Sequence, residues 1–387
     1  MNTKNFGLFF GAFGLIGAAL TACSSSPGTS PPIDFGSGGS LNSGAGTSSN
    51  AGDTSLAGSS PIAGTGGAVT AGGAGGAGGA SGGASGGSGG AIPITAVSPS
   101  KGCGKTIPAG QVLGQYTAFD TMVQGKTLDP AFTVMPHTRK YFVWLPKDYD
   151  QSKPYRITYL FYGCGDRYKG DSATYRLMMQ DPESIYVGMN MPPTGLPPAG
   201  KDCYDNSIGK QSVEWEFMGT TATTVQDNFC VDENREFVAG YSSGAWVSNM
   251  FGCYFAGKDP TRMFGPEISI RGQSTVTGGP VFPDVPCGGP VAALWIHDSD
   301  DHENVIGGNS MTSLPRVLAV NKCTGGPTGT TAKWGSTTAL SDYCKQYTGC
   351  PADYPVIFCT TSGRGHSSQD DMALPAFIEF QNMMNPK

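Results

Sequence analysis

The stretch from Arg235 to Trp246 constrains this chain more than any other, because it reads as a strand, a sharp turn and a helix in immediate succession. Phe237, Val238 and Ala239 form the short apolar run of a strand buried on both faces. Gly240-Tyr241-Ser242-Ser243-Gly244 then fits the pattern G-x-S-x-G. The segment that follows, to Phe255, contains no proline and carries Trp246, Val247, Met250, Phe251 and Tyr254 at helical spacing. A serine at such a turn is held in a strained backbone conformation with its oxygen exposed. Glycines on either side remove the side chains that would collide where strand and helix meet. Ser242 is therefore the candidate nucleophile. The amide of Ser243, at the helix N-terminus, is a candidate oxyanion donor. In a chain with 59 glycines the pattern alone is weak, and its strand and helix context is what gives it meaning.

A serine nucleophile needs a base, and the chain has only four histidines. His137 precedes an early strand, and His297 and His302 flank an acidic cluster. His366 lies in the glycine-rich turn Gly363-Arg364-Gly365, after the apolar strand Pro355–Cys359 and before a helix expected over Ala373–Met384. It is the candidate general base. The apolar strand Val291–Ile296 opens into His297-Asp298-Ser299-Asp300-Asp301-His302-Glu303. Catalytic acids of α/β sheets sit beyond the carboxyl ends of strands, so Asp301 is the expected partner of the base, with Asp300 in reserve. His297 is expected to brace the acid loop. Asp298, Asp300, Asp301 and Glu303 also resemble calcium donors, but the glycine and distant glutamate of an EF-hand are missing. His297 and His302 could ligate zinc only with a third partner. The order Ser242, Asp301, His366 is that of α/β-hydrolases, and it calls for no cofactor or metal.

Upstream, Lys140–Leu145 and Tyr155–Tyr162 are strongly β-prone, and Ile185–Met189 reads as a buried strand. The second of these runs breaks at Gly163-Cys164-Gly165, where a second oxyanion amide belongs; Cys164 is the candidate, with a plain turn as the alternative. A helix is expected from Val213 towards Phe229, with Trp215 and Phe217 as candidate pocket aromatics beside Tyr162, or else as core. The stretch Glu267–Ile270 reads as a further strand.

The chain begins like an exported protein. Lys4 precedes an apolar run from Phe6 to Leu20, too short for a membrane span, which ends in the lipobox-like Leu20-Thr21-Ala22-Cys23. Lipidation of Cys23 is expected, which divides the chain into a signal segment 1–23, a tether 24–95 and a folded domain 96–387. The tether is rich in Gly, Ser and Ala and buries too little apolar surface to fold; it spans on the order of 45 Å. Export to the cell surface or outer membrane is the resulting expectation. Setting Cys23 aside leaves ten cysteines, an even number that suggests five disulfides, although Cys344 and Cys350 are not expected to pair merely because they are close in sequence. A net charge of −6 and the lack of a basic run argue against nucleic acid as a partner. No signal for a protein partner is present.

Together, His137–Tyr149, Leu160–Gly165, Gly240–Ala245, Cys253, His297–Asp301 and Gly365-His366 resemble the secreted esterase family that includes polyhydroxybutyrate depolymerases and feruloyl or acetylxylan esterases. The resemblance covers most of residues 100–387, with Tyr162 where the family usually has His and Asp298 where it usually has Gly. It implies an α/β-hydrolase fold: a mostly parallel central sheet flanked by helices, here stabilised by disulfides. It also implies ester hydrolysis through an acyl-enzyme formed by a Ser-His-Asp triad. The substrate is expected to be polymeric or aromatic, first a feruloyl ester of plant cell-wall polysaccharide and alternatively a short-chain polyester such as polyhydroxybutyrate. A non-catalytic, surface-tethered binding protein on the same fold is the alternative of another class.

Overall fold

The computed structural model describes residues 96–165, 181, 183–192, 203–204, 209–279, 284–328 and 343–384. All of them fall within the unit Gly82–Lys387. Cys23, the signal segment and the tether lie outside the described residues, as does most of the loop between Pro192 and Asp205.

The described elements are β1 (Tyr116–Val123), β2 (His137–Trp144), β3 (Tyr155–Phe161), β4 (Ser184–Met189), α1 (Glu214–Asn228), β5 (Val231–Tyr241) and α2 (Ser243–Tyr254). They continue with β6 (Ile270–Val276), β7 (Ala292–Asp298), α3 (Ser310–Val320), β8 (Cys344–Gln346), β9 (Val356–Thr361) and α4 (Asp370–Asn382). The strands form one sheet in the order β1-β2-β4-β3-β5-β6-β7-β9-β8. Every pairing from β4 through β3, β5, β6 and β7 to β9 is parallel. The antiparallel pairings are at the two edges, β1 with β2, β2 with β4 and β8 with β9. Strand order reverses between β3 and β5, and the carboxyl ends of strands at such a switch point are the usual ligand position in sheets of this kind. This is the α/β-hydrolase fold.

Burial explains the strand sequences. Every residue of β3, β4, β6 and β7 is buried, as expected for parallel strands covered on both faces. The expected strand at Glu267–Ile270 is displaced, because pairing begins only at Ile270 and runs to Val276. The polar run Arg271-Gly272-Gln273-Ser274-Thr275 carries no apolar signal, yet it is buried, and two of its side chains find partners. Gln273 Nε2 donates to Asn249 Oδ1 at 3.0 Å, and Arg271 Nη1 donates to the Tyr354 hydroxyl at 2.9 Å. The last helix begins at Asp370 rather than Ala373, so that Asp370 and Asp371 occupy its first turn, where negative charge is favoured.

Five disulfides join Cys103 to Cys230, Cys164 to Cys203, Cys253 to Cys287, Cys323 to Cys350 and Cys344 to Cys359. Cys344 and Cys350 thus bond to different partners. The Cys103–Cys230 bridge ties the start of the described chain to the start of β5, where the Ser98 amide also donates to Asp232 Oδ1 at 2.9 Å.

Candidate active site

Ser242 occupies the turn between β5 and α2 with φ 52° and ψ −121°. This positive φ is unusual for a side-chain-bearing residue and marks a strained turn. Its amide donates to Val276 O at 3.0 Å, which fixes the turn to the end of β6. The flanking glycines are required by contact. A Cβ on Gly240 would stand 2.4 Å from the carbonyl carbon of Gly244, and one on Gly244 would stand 2.3 Å from the Phe161 carbonyl and 2.5 Å from Tyr162 O. The elbow therefore packs directly on the end of β3, beside the turn that carries Cys164.

Three residues far apart in sequence meet at this point. The Ser242 hydroxyl donates to His366 Nε2 at 2.9 Å. On the other side of the ring, His366 Nδ1 donates to Asp301 Oδ2 at 2.9 Å. Asp301 is 2% exposed, and its Oδ1 accepts the amides of Glu303 at 3.0 Å and Asn304 at 2.8 Å, so its orientation is set by its own loop. Asp300 is exposed and accepts the Gly363 amide at 2.6 Å, which makes it a brace for the histidine loop with no bond to the His366 ring. Asp298 is buried and accepts Thr361 Oγ1 at 2.7 Å, the Asp300 amide at 2.9 Å and the Arg364 amide at 3.1 Å. Burial alone would raise its carboxyl, but the bonds from Thr361, Asp300, Arg364 and Gly365 outweigh burial and hold it below the usual carboxylate range. Asp298 is thus a charged staple between the acid and base loops.

His297 is buried at the same place. Burial lowers its pKa despite the Asn304 carbonyl and Asp301 beside it. As a neutral ring it donates from Nε2 to Asn304 O at 2.6 Å and accepts from Ser310 Oγ at Nδ1, also at 2.6 Å. It braces the acid loop. Among the described residues there is no group of three side chains arranged to hold a metal ion. The aspartates of the calcium-like run spend their oxygens on backbone amides, Thr361 and His366.

The candidate oxyanion residues lie on the two sides of the elbow. Ser243 is the first residue of α2, and Cys164 follows the end of β3. The three pocket aromatics are placed elsewhere, which corrects the expectation. Trp215 and Phe217 are fully buried, and Tyr162 is 4% exposed. Trp215 donates to Gly209 O at 2.9 Å and packs against Phe251 and Tyr254, while the Arg139 guanidinium lies 4.0 Å from the Phe217 ring centre. The Tyr162 hydroxyl is directed at Gly188 of β4, where an added Cβ would come within 2.5 Å of it. Helical spacing shows that such residues share a face, but does not show whether that face meets core or cleft.

Other residues at the site escape sequence reasoning. The Tyr241 hydroxyl donates to His366 O at 3.2 Å, and its ring lies 5.5 Å from the imidazole. Asn304 Nδ2 donates at 2.8 Å to the carbonyl of Thr277, itself at φ 51°. Tyr241 was open to discovery as the variable residue inside the G-x-S-x-G pattern; Asn304 and Thr277 carry no sequence signal.

No family model matches the chain. The chain is 26% identical to feruloyl esterase D of Neurospora crassa over 72% of this chain and 86% of that protein. It is 24% identical to feruloyl esterase C of Emericella nidulans, over 59% of this chain and 76% of that one. Among solved structures, the acetyl xylan esterase from Aspergillus awamori aligns with 69% of this chain and 99% of its own at 13% identity and a TM-score of 0.45. By its sequence relatives, then, the chain resembles the esterase family that includes the feruloyl esterases.

Proposed function

We propose that this chain is a serine carboxylic ester hydrolase acting on feruloyl-type esters of plant cell-wall polysaccharide. The observation that carries the proposal is the continuous path from Ser242 Oγ to His366 Nε2 at 2.9 Å and from His366 Nδ1 to Asp301 at 2.9 Å, at a strained strand-to-helix turn. Ser242 Oγ attacks the ester carbonyl as His366 Nε2 takes its proton. Asp301 holds the ring in the tautomer with a proton on Nδ1 and stabilises the imidazolium. The amides of Ser243 and Cys164 receive the negative charge that develops on the carbonyl oxygen. Collapse of the tetrahedral intermediate breaks the ester C–O bond, and His366 returns the proton to the departing alcohol. Water then attacks the acyl-serine, with the same histidine as base, to release the acid and regenerate Ser242.

The feruloyl substrate rests on the relatives' names and no longer on Tyr162, Trp215 and Phe217, which lie in the core. The proposal extends to an exported protein in which Cys23 is lipidated and residues 24–95 tether the domain 96–387 to a membrane surface; the five disulfides are in keeping with an oxidising compartment.

The test is turnover of p-nitrophenyl acetate and methyl ferulate, with labelling by a fluorophosphonate probe, in the wild type and in Ser242→Ala. Hydrolysis and labelling that vanish in the variant are expected. Hydrolysis of hydroxybutyrate oligomers in place of methyl ferulate would overturn the substrate, and a folded wild type that neither turns over nor labels would leave a binding protein on a hydrolase fold.

A further inference from the structure

The hydrogen bonds of Tyr204 go to neither the imidazole nor its carboxylate, yet they tie together the parts of the chain that carry both proposed oxyanion amides. Tyr204 is 1% exposed. Its hydroxyl donates to the carbonyl of Met189, the last residue of β4, and accepts the amide of Tyr162, just past the end of β3, at 3.1 Å. Its own amide donates to Ser243 Oγ at 3.1 Å. Its ring meets Phe161 edge-on, with centroids 5.5 Å apart. One residue earlier, Cys203 is bonded to Cys164.

These contacts converge on one requirement. An oxyanion is stabilised only if its donors already point at the place where it forms, and an error of about 1 Å can cost about 100-fold in rate. The Ser243 amide is fixed by α2, which gives it a rigid support. The Cys164 amide lies beyond the last residue of β3, where the regular ladder to β4 and β5 has ended at Phe161. Two consecutive residues hold that turn in place: Tyr204 by a hydrogen bond at Tyr162, and Cys203 by a covalent bond at Cys164. The residue that grips the turn also grips the Ser243 side chain, so the two donors share one reference point. The phenol keeps its proton, because burial, with the nearby Glu214 charge, pushes its pKa well above the ordinary tyrosine value.

We infer that Tyr204 is a positioning residue for the oxyanion hole, setting the Cys164 amide against the Ser243 amide through its bonds to Tyr162 and Ser243 and through the adjoining Cys164–Cys203 bridge. The inference rests on the esterase reading above.

The full oxidised chain tests it with Tyr204→Phe, which keeps the ring in the core and removes the hydroxyl. Rates are measured per active site, counted with the fluorophosphonate probe. We expect kcat for p-nitrophenyl acetate to fall about 10- to 100-fold, with KM changed by less than about threefold. Affinity for an arylboronic acid, which forms a tetrahedral adduct on the serine, falls in parallel, while the acid limb of the pH profile stays where it is. Tyr186→Phe is the control. Tyr186 is equally buried, and its hydroxyl bonds to Asp181 at 3.2 Å in a cluster with no link to the elbow; its loss lowers the melting temperature and leaves kcat per site unchanged.

Unchanged kcat per site and boronate affinity in Tyr204→Phe overturn the inference. If that variant does not fold, Ser243→Ala decides, since it removes the acceptor of the Tyr204 amide while keeping the Ser243 amide; a loss of the same kind supports the inference and wild-type kinetics overturn it. A wild type that hydrolyses esters through Ser242 while Tyr204→Phe matches it sinks this inference alone. A wild type with no turnover sinks the esterase reading and this inference with it.

Discussion

Glu236 lies on β5, the strand that delivers the proposed nucleophile, and is fully buried. Its Oε1 accepts Gln226 Nε2 at 2.7 Å, its Oε2 accepts the Tyr159 hydroxyl at 3.2 Å, and the Ser269 amide also bonds to it. Burial, assisted by the charge of Glu233, outweighs these donors and raises its pKa from the ordinary 4.5 to about 8. Between those two values the folded chain keeps a proton that the unfolded chain gives up. Stability from this group is therefore complete below the unfolded value, declines as pH rises, and is gone once pH passes about 8. Each pH unit is worth ~1.4 kcal/mol, so the whole window amounts to roughly 5 kcal/mol, a large share of the 5–15 kcal/mol, or thereabouts, that holds a typical domain together. Glu236→Gln keeps the shape and removes the titration. Urea unfolding of the oxidised protein at about pH 5 and about pH 9 is the assay, and the variant is expected to gain about 4 kcal/mol on the wild type between them. Parallel pH profiles for the two proteins would refute the reasoning, because they would mean that Glu236 is already ionised in the fold.

Gly244→Ala puts a methyl group 2.3 Å from the Phe161 backbone carbonyl, which cannot rotate aside as a side chain would. A stability loss of about 1–3 kcal/mol and a kcat about 100-fold lower are expected by thermal melting and active-site titration; wild-type values would contradict the close packing of elbow on β3. Asp301→Asn is expected to lower kcat by about 10⁴-fold, and Asp300→Asn by less than about tenfold, in steady-state assays; the reverse ranking would move the triad acid to Asp300. Thr361→Val removes the Oγ1 donor of the 2.7 Å bond to Asp298 and should cost about 1.5–3 kcal/mol; an unchanged melting temperature would show that Asp298 does not staple the two loops.

The parts of the site that could be read from the sequence are those whose meaning is local. The elbow announces itself because strand, glycines, serine and helix occupy consecutive positions. His366 emerges because the chain has so few histidines and this one follows an apolar strand. Asp301 follows β7 for the same topological reason, and the choice between it and Asp300 turns on which way a loop side chain points, which no periodicity records. Strand β1 was not legible, since its residues alternate between half-buried and exposed at the sheet edge and include Asp120. Helix α3 was not legible either; Pro315 lies within it, as Pro375 lies within α4, and only α4 was expected.

Strand β6, the aromatics of α1 and Tyr204 share a deeper cause. Gln273 and Arg271 each gain a hydrogen bond inside the sheet from Asn249 and Tyr354, which are remote in sequence. Trp215 is drawn into the core because Gly209 O satisfies its indole N–H and Phe251 and Tyr254 close around its ring. Tyr204 lies in a stretch with no apolar pattern, yet its hydroxyl both gives and accepts a bond at the ends of two strands. In each case the side chain's place is decided by a partner that only the folded chain brings near. A polar strand, a buried tryptophan and a loop tyrosine thus look unremarkable in sequence for one reason: pattern reports how often a side chain faces the core, whereas satisfaction reports what it meets there. The proposed hydrolase depends on both, with a nucleophile set by local pattern and an oxyanion hole set by long-range satisfaction.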